Sequence, residues 1–469
     1  RRLSKSNDRE CRTNERKRFW VIFRCLLYTR QRWKKVAFKK LVWNETWKRV
    51  GNKNDPKTSF DNFFSILEAS RDLAFPEVLT KPRGSKKMQH HPWFSSALIV
   101  SAARKAKLLV RKVKFPTPAN VKVFQDYNRL FNATKLKAKR SYFLTQFREK
   151  VNDAKQTWSL IRDLIGNRKK RNCDLPDFFT ENGKVISSAL EIATGFNEFY
   201  VGVGPKLAAA IPASARTAES YLGDPSNVDF QFSDVSVEMI LTVSKLLQSK
   251  DSAGVDAISN NLLKLIVPTI ISPLVHLINL SLKSGYIPVQ VKTAVIIPLY
   301  KHEGSINAFT NYRPISLINS IGKLIEKLVN KQLMDFLQSQ DLLFKHQYGF
   351  RSRQNTIHPL MHFTNRIFNA LNRTADPLTS TLSISIFIDL KKAFNTCNFD
   401  ILLSKMRHYG VKGVENLWFR NYLHDRKQSV KVGSINSPNL TPTCGVPQGS
   451  VLGPLLFLIY INDLPNCTE

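Results

Sequence analysis

The 469-residue sequence predicts an α+β protein that is preceded by a basic, mostly helical extension. Two periodicities indicate the α+β class. Apolar residues alternate along 381–390, as in a half-buried strand, and recur at helical spacing along 321–337. The extension is indicated by charge, because residues 1–170 hold 43 of the 71 Lys and Arg but only 13 of the 36 Asp and Glu. That segment alone carries +30 of the net charge of +35, so we expect it to attract a polyanion.

Residues 1–80 are predicted as a basic and aromatic N-terminal segment, with clusters such as Arg32-Trp33-Lys34-Lys35 and Trp47-Lys48-Arg49. Cations interleaved with rings suit nucleic acid, because the cations contact phosphates while the rings stack on bases. Amphipathic helices whose lysines extend from a buried face to solvent give the same pattern. Both interpretations stay open. A short helix is predicted at 61–74.

Residues 81–205 are predicted as a basic helical segment, with two or three amphipathic helices between 101 and 164. A solvated surface, a localisation signal or an anionic membrane partner are the alternative explanations of this charge. Nucleic acid is the commonest polyanion, so we favour it. The candidate nucleic-acid contacts are Lys135, Lys137, Lys139 and Arg140.

The remaining chain is predicted as a linker at 206–232 and a folded domain at 233–469. The six cysteines form no Cys-x-x-Cys pair and have no histidine at metal-ligand spacing, which is typical of reduced thiols in an intracellular protein. No uninterrupted apolar run reaches the roughly eighteen residues that a membrane-spanning helix requires. We therefore expect neither a zinc site nor a membrane partner.

Turn and capping residues divide the second half of the chain into short elements. We expect a hairpin turn at Asn182-Gly183, a helix over 188–200, a strand over 295–299, a helix capped by Ser320 that runs to 337, a helix from the Asn398 cap to Tyr409 that Gly410 ends, a helix over 413–423 and a hairpin over 428–438.

Two stretches of this half carry chemistry. Residues 381–390 read T-L-S-I-S-I-F-I-D-L, so a strand here would bury its aliphatic face and turn Asp389 toward a cleft. Taken alone, such an acid is more often the cap of a turn. Residues 444–454 read C-G-V-P-Q-G-S-V-L-G-P, a loop that would hold Gln448 rigidly against a flat, hydrogen-bonding ligand.

Together, F-I-D-L-K-K-A-F at 387–394, the 444–454 loop and L-I-Y-I-N-D-L-P at 458–465 resemble the palm of the reverse transcriptase of a non-LTR, LINE- or jockey-like retrotransposon. Asn311 to Leu317 and Gln347 to Arg351 resemble its fingers. The resemblance implies a right-hand polymerase fold, most specifically over 288–469. It also implies RNA-directed DNA synthesis with an RNA template, a DNA primer and target, and deoxynucleoside triphosphates.

The resemblance also implies roles for individual residues. Asp389 would be the catalytic carboxylate and, with the Leu390 backbone carbonyl, would bind Mg²⁺, for which Mn²⁺ can substitute. Phe394 would lie beneath the incoming sugar and Gln448 against the nucleotide. Asn395 stands where the family usually has aspartate.

Three cations complete the set that the resemblance implies. Arg313 and Lys301 would neutralise the triphosphate, and Arg351 would contact the template phosphate. Residues 250–258 resemble another element of the family, a Lys-rich P-G-x-D motif. In this sequence Val255 and Ala257 stand where the family usually has Pro and Gly.

The family's second metal-binding motif, an aromatic-x-Asp-Asp hairpin, is not found, because the 469 residues contain no Asp-Asp pair. We therefore expect a fragment that is truncated before this motif and inactive alone, from a protein with an upstream endonuclease. The alternatives are a catalytically dead or repurposed remnant that only binds nucleic acid, and an intron-type maturase. The substrates imply an intracellular protein that enters the nucleus at least transiently.

Overall fold

The computed structural model describes residues 33–51, 55–76, 92–165, 175–181, 183–212, 216–372 and 384–467. The chain divides into two compact units. The helical unit lies within 78–174, and the mixed unit combines 1–77 with 175–469. The mixture of helices and strands is consistent with the predicted α+β class. The predicted domain boundaries stay a prediction.

The helices, in chain order, are α1 (33–44), α2 (Lys48–Gly51), α3 (Pro56–Ala74), α4 (Ser96–Lys114), α5 (Pro118–Glu149), α6 (Ala154–Ile165), α7 (Ala189–Ala209), α8 (Val237–Leu246), α9 (Asn260–Ile266), α10 (Ile271–Ser284), α11 (Val289–Lys292), α12 (Ser320–Ser339), α13 (Ile357–Asn372), α14 (Phe399–His408), α15 (Gly413–Leu423) and α16 (Leu452–Ile461). The strands are β1 (Phe179–Glu181), β2 (Lys184–Ile186), β3 (Thr293–Tyr300), β4 (Tyr312–Ile318), β5 (Lys427–Val432) and β6 (Ile435–Asn436).

The helical unit contains α4, α5 and α6, which cover the residues where two or three basic helices are predicted. Its helices α4 and α5 form an antiparallel hairpin in which cations of α4 lie over rings of α5. Lys112 lies 5.1 Å from the ring centre of Phe124, and Lys105 lies 5.1 Å from that of Phe131. These contacts explain how a helix pair with so few buried apolar residues packs at all.

A large apolar core joins α1 and α3 to the C-terminal helices of the mixed unit. Phe38 and Val42 of α1 are fully buried, whereas Trp33 and Trp43 are 71% and 68% exposed. The amphipathic interpretation therefore holds for α1 itself, because its buried face serves the core. Among the described residues, no single helix is long and apolar enough to cross a membrane, although the bent pair α9 and α10 passes that test when taken together.

A four-stranded sheet in the order β4-β3-β5-β6 forms the second layer of the mixed unit. β3 and β4 pair antiparallel with Ile297 opposite Ile315, and β3 and β5 pair parallel. Helix α7 covers this sheet through Phe196, which packs against Phe309 and Tyr312 at ring-centre distances of 4.7 and 5.1 Å. α7 begins where predicted but runs nine residues further, because its second half also packs against the chain near Asn395.

Several local predictions are confirmed. β1 and β2 pair antiparallel, as the predicted hairpin requires, and Gly183 between them has a φ of +79°, whereas Asn182 lies outside the described residues. Asn398 caps α14 by accepting hydrogen bonds from two N–H groups, and Gly410 follows that helix with a φ of +89°. Helix α15 has the predicted bounds. These features depend on short-range geometry, which sequence specifies well.

The predicted cap of α12, Ser320, is wrong. Asn319, not Ser320, is the N-cap, since its side-chain oxygen accepts hydrogen bonds from the N–H groups of Ile321 (2.7 Å) and Gly322 (3.0 Å). The Ser320 hydroxyl instead donates to the Ile258 carbonyl at 2.7 Å. Ser320, which the local pattern favoured as the cap, therefore uses its hydroxyl in a tertiary hydrogen bond instead.

The predicted strand at 381–390 is wrong over its described part. Residues 384–390 have no regular structure, and the side chains of Ile386 and Ile388 are 84% and 73% exposed. Residues 381–383 lie outside the described residues. A strand requires hydrogen bonds to a neighbouring strand as well as a buried face, and none of the described strands lies beside this segment.

Candidate functional site

The Gln448 loop, residues 444–451, is fastened to the segment that follows Asp389. The N–H of Gly445 donates to the Cys397 carbonyl at 2.7 Å, and the N–H of Val446 donates to the Phe394 carbonyl at 2.7 Å. Two residues predicted from separate motifs, Phe394 and Gln448, are therefore held in one backbone network.

Gln448 is held on both its main chain and its side chain. Its carbonyl accepts a hydrogen bond from the N–H of Ser316 on β4 at 2.8 Å. Its side-chain amide donates to the Asn395 side-chain oxygen at 3.1 Å. Gly449 has a φ of +119°, and a Cβ there would lie 2.8 Å from the Ser316 carbonyl oxygen, so the turn after Gln448 requires glycine. Asn395 thus supplies an acceptor oxygen at the position where aspartate is usual.

The buried Glu326 of α12 anchors the end of the loop. Its carboxylate accepts hydrogen bonds from the Tyr422 hydroxyl at 2.8 Å and from the N–H of Val451 at 2.6 Å. Burial raises the pKa of Glu326, and these two donors partly oppose that shift. Glu326 was missed by the sequence analysis, because an acid on the apolar face of a helix has no local signature.

The ring of Phe394 is oriented by two other aromatic residues. It stacks on Phe457 of α16 with ring centres 4.9 Å apart, and its edge meets Phe350 at 6.1 Å. Phe394 is half-buried, so part of the ring is free to contact a ligand. This geometry suits a platform beneath a sugar ring, which is the role predicted for it.

A cationic cluster lies at the loop end of the β3-β4 hairpin. Leu299 pairs with Arg313, so Lys301, two residues further along, shares the face of Arg313 and lies diagonal to it. The Lys301 ammonium donates to the Thr310 carbonyl at 2.8 Å. The structure therefore brings the two predicted fingers cations together.

Lys392 joins this cluster. Its ammonium donates to the same Thr310 carbonyl at 3.5 Å, and it lies 5.7 Å from the ring centre of Phe199. Burial and the nearby charges of Lys301, Lys391 and Arg313 lower the pKa of Lys392 to about 8. Lys392 was not among the predicted site residues, although its place directly after F-I-D-L-K was a signal.

Asp389 and Leu390 are not joined by further acids. Both are exposed on the segment without regular structure. In the described part of the chain, no group of three His, Cys, Asp or Glu residues is arranged to hold a metal ion. Because Mg²⁺ in such a site needs several oxygen ligands, the described residues do not form a complete metal site.

The remaining predicted contacts are Arg351 of the mixed unit and four cations of the helical unit. The guanidinium of Arg351 donates to the Phe344 carbonyl at 3.2 Å, so one of its donors is used within the protein. The four candidate cations of the helical unit lie on α5. Lys135, Lys137 and Arg140 are exposed, and the Lys139 ammonium lies 6.0 Å from the ring centre of Phe143.

The enclosed space behind the Gln448 loop is too small for a nucleotide. A cavity of about 50 Å³ lies there, lined by Tyr200, Ser316, Asn395, Arg426 and Gln448 among others. Ligand pockets usually measure ~300–1,000 Å³. This cavity therefore does not by itself hold a nucleotide.

Residues 300–469 match the protein family described as reverse transcriptase (RNA-dependent DNA polymerase). The chain is 32% identical over 250 residues to the probable RNA-directed DNA polymerase from transposon BS of Drosophila melanogaster, an overlap of 52% of this chain and 26% of that protein. It is 28% identical over 253 residues to the RNA-directed DNA polymerase from mobile element jockey of the same species, covering 54% of this chain and 27% of that protein.

A longer match reaches the N-terminal part of the chain. The RNA-directed DNA polymerase from mobile element jockey of Drosophila funebris is 25% identical over 418 residues, which covers 88% of this chain and 44% of that protein. The chain thus spans less than half the length of these curated relatives.

Proposed function

We propose, from the match of residues 300–469 to the reverse transcriptase family, that the chain is part of an RNA-directed DNA polymerase of a jockey-like non-LTR retrotransposon. Such a protein extends a DNA primer at a nicked target along an RNA template. The observation that carries the proposal is the set of hydrogen bonds between the Gln448 loop and the segment after Asp389. This segment also includes Lys392 of the cationic cluster. In this assignment, the β3-β4 hairpin belongs to the fingers and α14 to α16 belong to the palm.

Each residue of the site is assigned to a different part of the nucleotide. Lys301 and Arg313 supply positive charge for the triphosphate, at the hairpin end where both side chains share a face. Phe394, fixed by Phe457, supports the sugar. Gln448, tethered to Asn395, presents its loop to the nucleotide. A preorganised site of this kind loses little entropy on binding.

Asp389 and the Leu390 carbonyl are proposed as part of a Mg²⁺ ligand set. Mg²⁺ prefers oxygen ligands, and Asp389 is an exposed carboxylate that is free to bind one. When bound, a divalent ion would supply charge stabilisation at the reacting phosphate. The described residues provide only this first carboxylate, so no catalytic step is assigned here.

The helical unit is proposed to bind the nucleic-acid substrate. Its exposed cations, its ring-stacked lysines and its near absence of acids suit a phosphate backbone. The parent protein is proposed to carry an upstream endonuclease and to act in the nucleus, because its primer is a chromosomal target.

A ternary-complex experiment tests the polymerase assignment. The chain is mixed, in Mg²⁺, with an RNA template and a DNA primer that ends in a dideoxynucleotide, and dissociation of the labelled primer-template is followed. We expect the complementary deoxynucleoside triphosphate to slow dissociation more than the three others do. Replacing Gln448 with alanine should remove most of that difference. Equal effects of all four triphosphates would instead indicate a remnant that only binds nucleic acid.

The salt dependence of binding tests the helical unit separately. Replacing Lys135, Lys137, Lys139 and Arg140 together with alanine should reduce the slope of log K against log salt by ~3, since each phosphate contact contributes ~0.7–0.9. Replacing two exposed lysines of the mixed unit, Lys245 and Lys331, is the matched control. An unchanged slope in the four-alanine variant would contradict the assignment.

A further inference from the structure

Two ammonium groups share one backbone oxygen in the cationic cluster. The Thr310 carbonyl accepts from Lys301 at 2.8 Å and from Lys392 at 3.5 Å. Two like charges this close repel each other, more strongly where they are partly buried than in bulk water. Lys301 and Lys392 are both half-buried. The arrangement is therefore costly in the free protein, and an anion would relieve the cost.

Within the part of the chain that the structure describes, no ion pair gives the cationic cluster of Lys301, Lys392 and Arg313 a carboxylate partner. The Lys392 ammonium also lies 5.7 Å from the centre of the Phe199 ring. An aromatic ring attracts the ammonium weakly and leaves its hydrogen-bond donors available.

The backbone holds Lys392 in this position. Its φ is +54°, a left-handed conformation, and it directly precedes a single 3₁₀ turn at Ala393–Asn395. The Asn395 N–H donates to the Lys392 carbonyl at 2.8 Å, which closes that turn. Because Phe394 in the same turn is fastened to the Gln448 loop, the position of Lys392 is coupled to that of the loop.

We propose that Lys392 is a third residue that binds the triphosphate, acting together with Lys301 and Arg313 on a polyphosphate at the end of the β3-β4 hairpin. The inference rests on the proposed function and deepens it. A polyphosphate has enough negative oxygens to accept from all three cations at once, and bidentate, charge-assisted contacts of this kind are the strong ones. A phosphate of the nucleic-acid backbone has the same chemistry, so the test must separate the two.

Calorimetric titration of the full chain with inorganic tripolyphosphate tests the proposal without requiring the chain to synthesise DNA. We expect Lys392→Gln to weaken tripolyphosphate binding by ~10-fold or more, as for the loss of a hydrogen bond between charged groups. Lys392→Arg keeps the charge and should bind within about threefold of the original chain. Lys391→Gln is the matched control, because Lys391 is its exposed neighbour, and it should change binding less than about twofold.

The same variants are then measured for binding to the primer-template. Lys392→Gln should leave this affinity within about twofold, because the proposal assigns Lys392 to the triphosphate and not to the nucleic acid. Equal loss of both affinities would overturn the inference in favour of a backbone-phosphate contact. An original chain that does not bind tripolyphosphate, or a Lys392→Gln variant that binds it normally, would also overturn it. The ternary-complex experiment with Gln448→Ala tests the polymerase function independently of these outcomes.

Discussion

Replacing Asp463 with leucine is expected to destabilise the mixed unit by about 3–5 kcal/mol, because it leaves a buried ammonium without its partner. Asp463 and Lys405 form an ion pair in which the two side chains are only 6% and 8% exposed. The Lys405 ammonium also donates to the Tyr460 carbonyl at 2.8 Å. Urea unfolding followed by circular dichroism measures the loss as a change in the free energy of unfolding.

Two controls separate the buried charge from a general loss of packing. Asp229 and Lys412 form an exposed ion pair, each side chain 51% exposed, so Asp229→Leu should cost less than about 1 kcal/mol. The double variant Lys405→Met, Asp463→Leu removes both buried charges and should recover most of the stability that the single variant loses. If Asp463→Leu proved no more harmful than Asp229→Leu, the buried pair would not hold α14 to the end of α16.

Replacing Gly204 with alanine is expected to destabilise the protein by about 1–3 kcal/mol and to displace the Gln448 loop. A Cβ at Gly204 would overlap the Asn395 carbonyl oxygen and the Cys444 sulfur. The sign of this prediction opposes helix propensity, which favours alanine over glycine inside a helix by ~1 kcal/mol. The free energy of unfolding measures the first effect, and loss of discrimination among triphosphates in the ternary complex measures the second.

Gly202 is the matched control for this prediction because it lies in the same helix. A Cβ there would meet only the Lys206 side chain, at 3.7 Å. Gly202→Ala should therefore stabilise the protein by up to about 1 kcal/mol through helix propensity alone. Stabilisation of equal size by both alanines would show that α7 does not approach the Gln448 loop as closely as described.

Much of the fold could be predicted because its signals are local. The caps and stops of α14, the bounds of α15 and the turn between β1 and β2 depend on residues within a few positions of each other. The resemblance to reverse transcriptases was also readable from three short motifs, since a motif is recognised from its residues alone and does not depend on packing. The basic character of α4 and α5 followed from composition.

What the tertiary structure decided depends on contacts between residues far apart in the chain. The alternation of apolar residues at 384–390 predicted which face a strand would bury. A strand also needs a neighbouring strand to pair with, and alternation gives no information about that partner. The sequence likewise did not indicate that Lys392 belongs to the cationic cluster, because Lys301 and Thr310 lie more than eighty residues earlier in the chain. By itself, the sequence indicated the resemblance to reverse transcriptases, several helices and the identity of the candidate side chains. Only the fold decided which of those side chains meet, because a charge or a hydrogen bond acts through space and not along the chain.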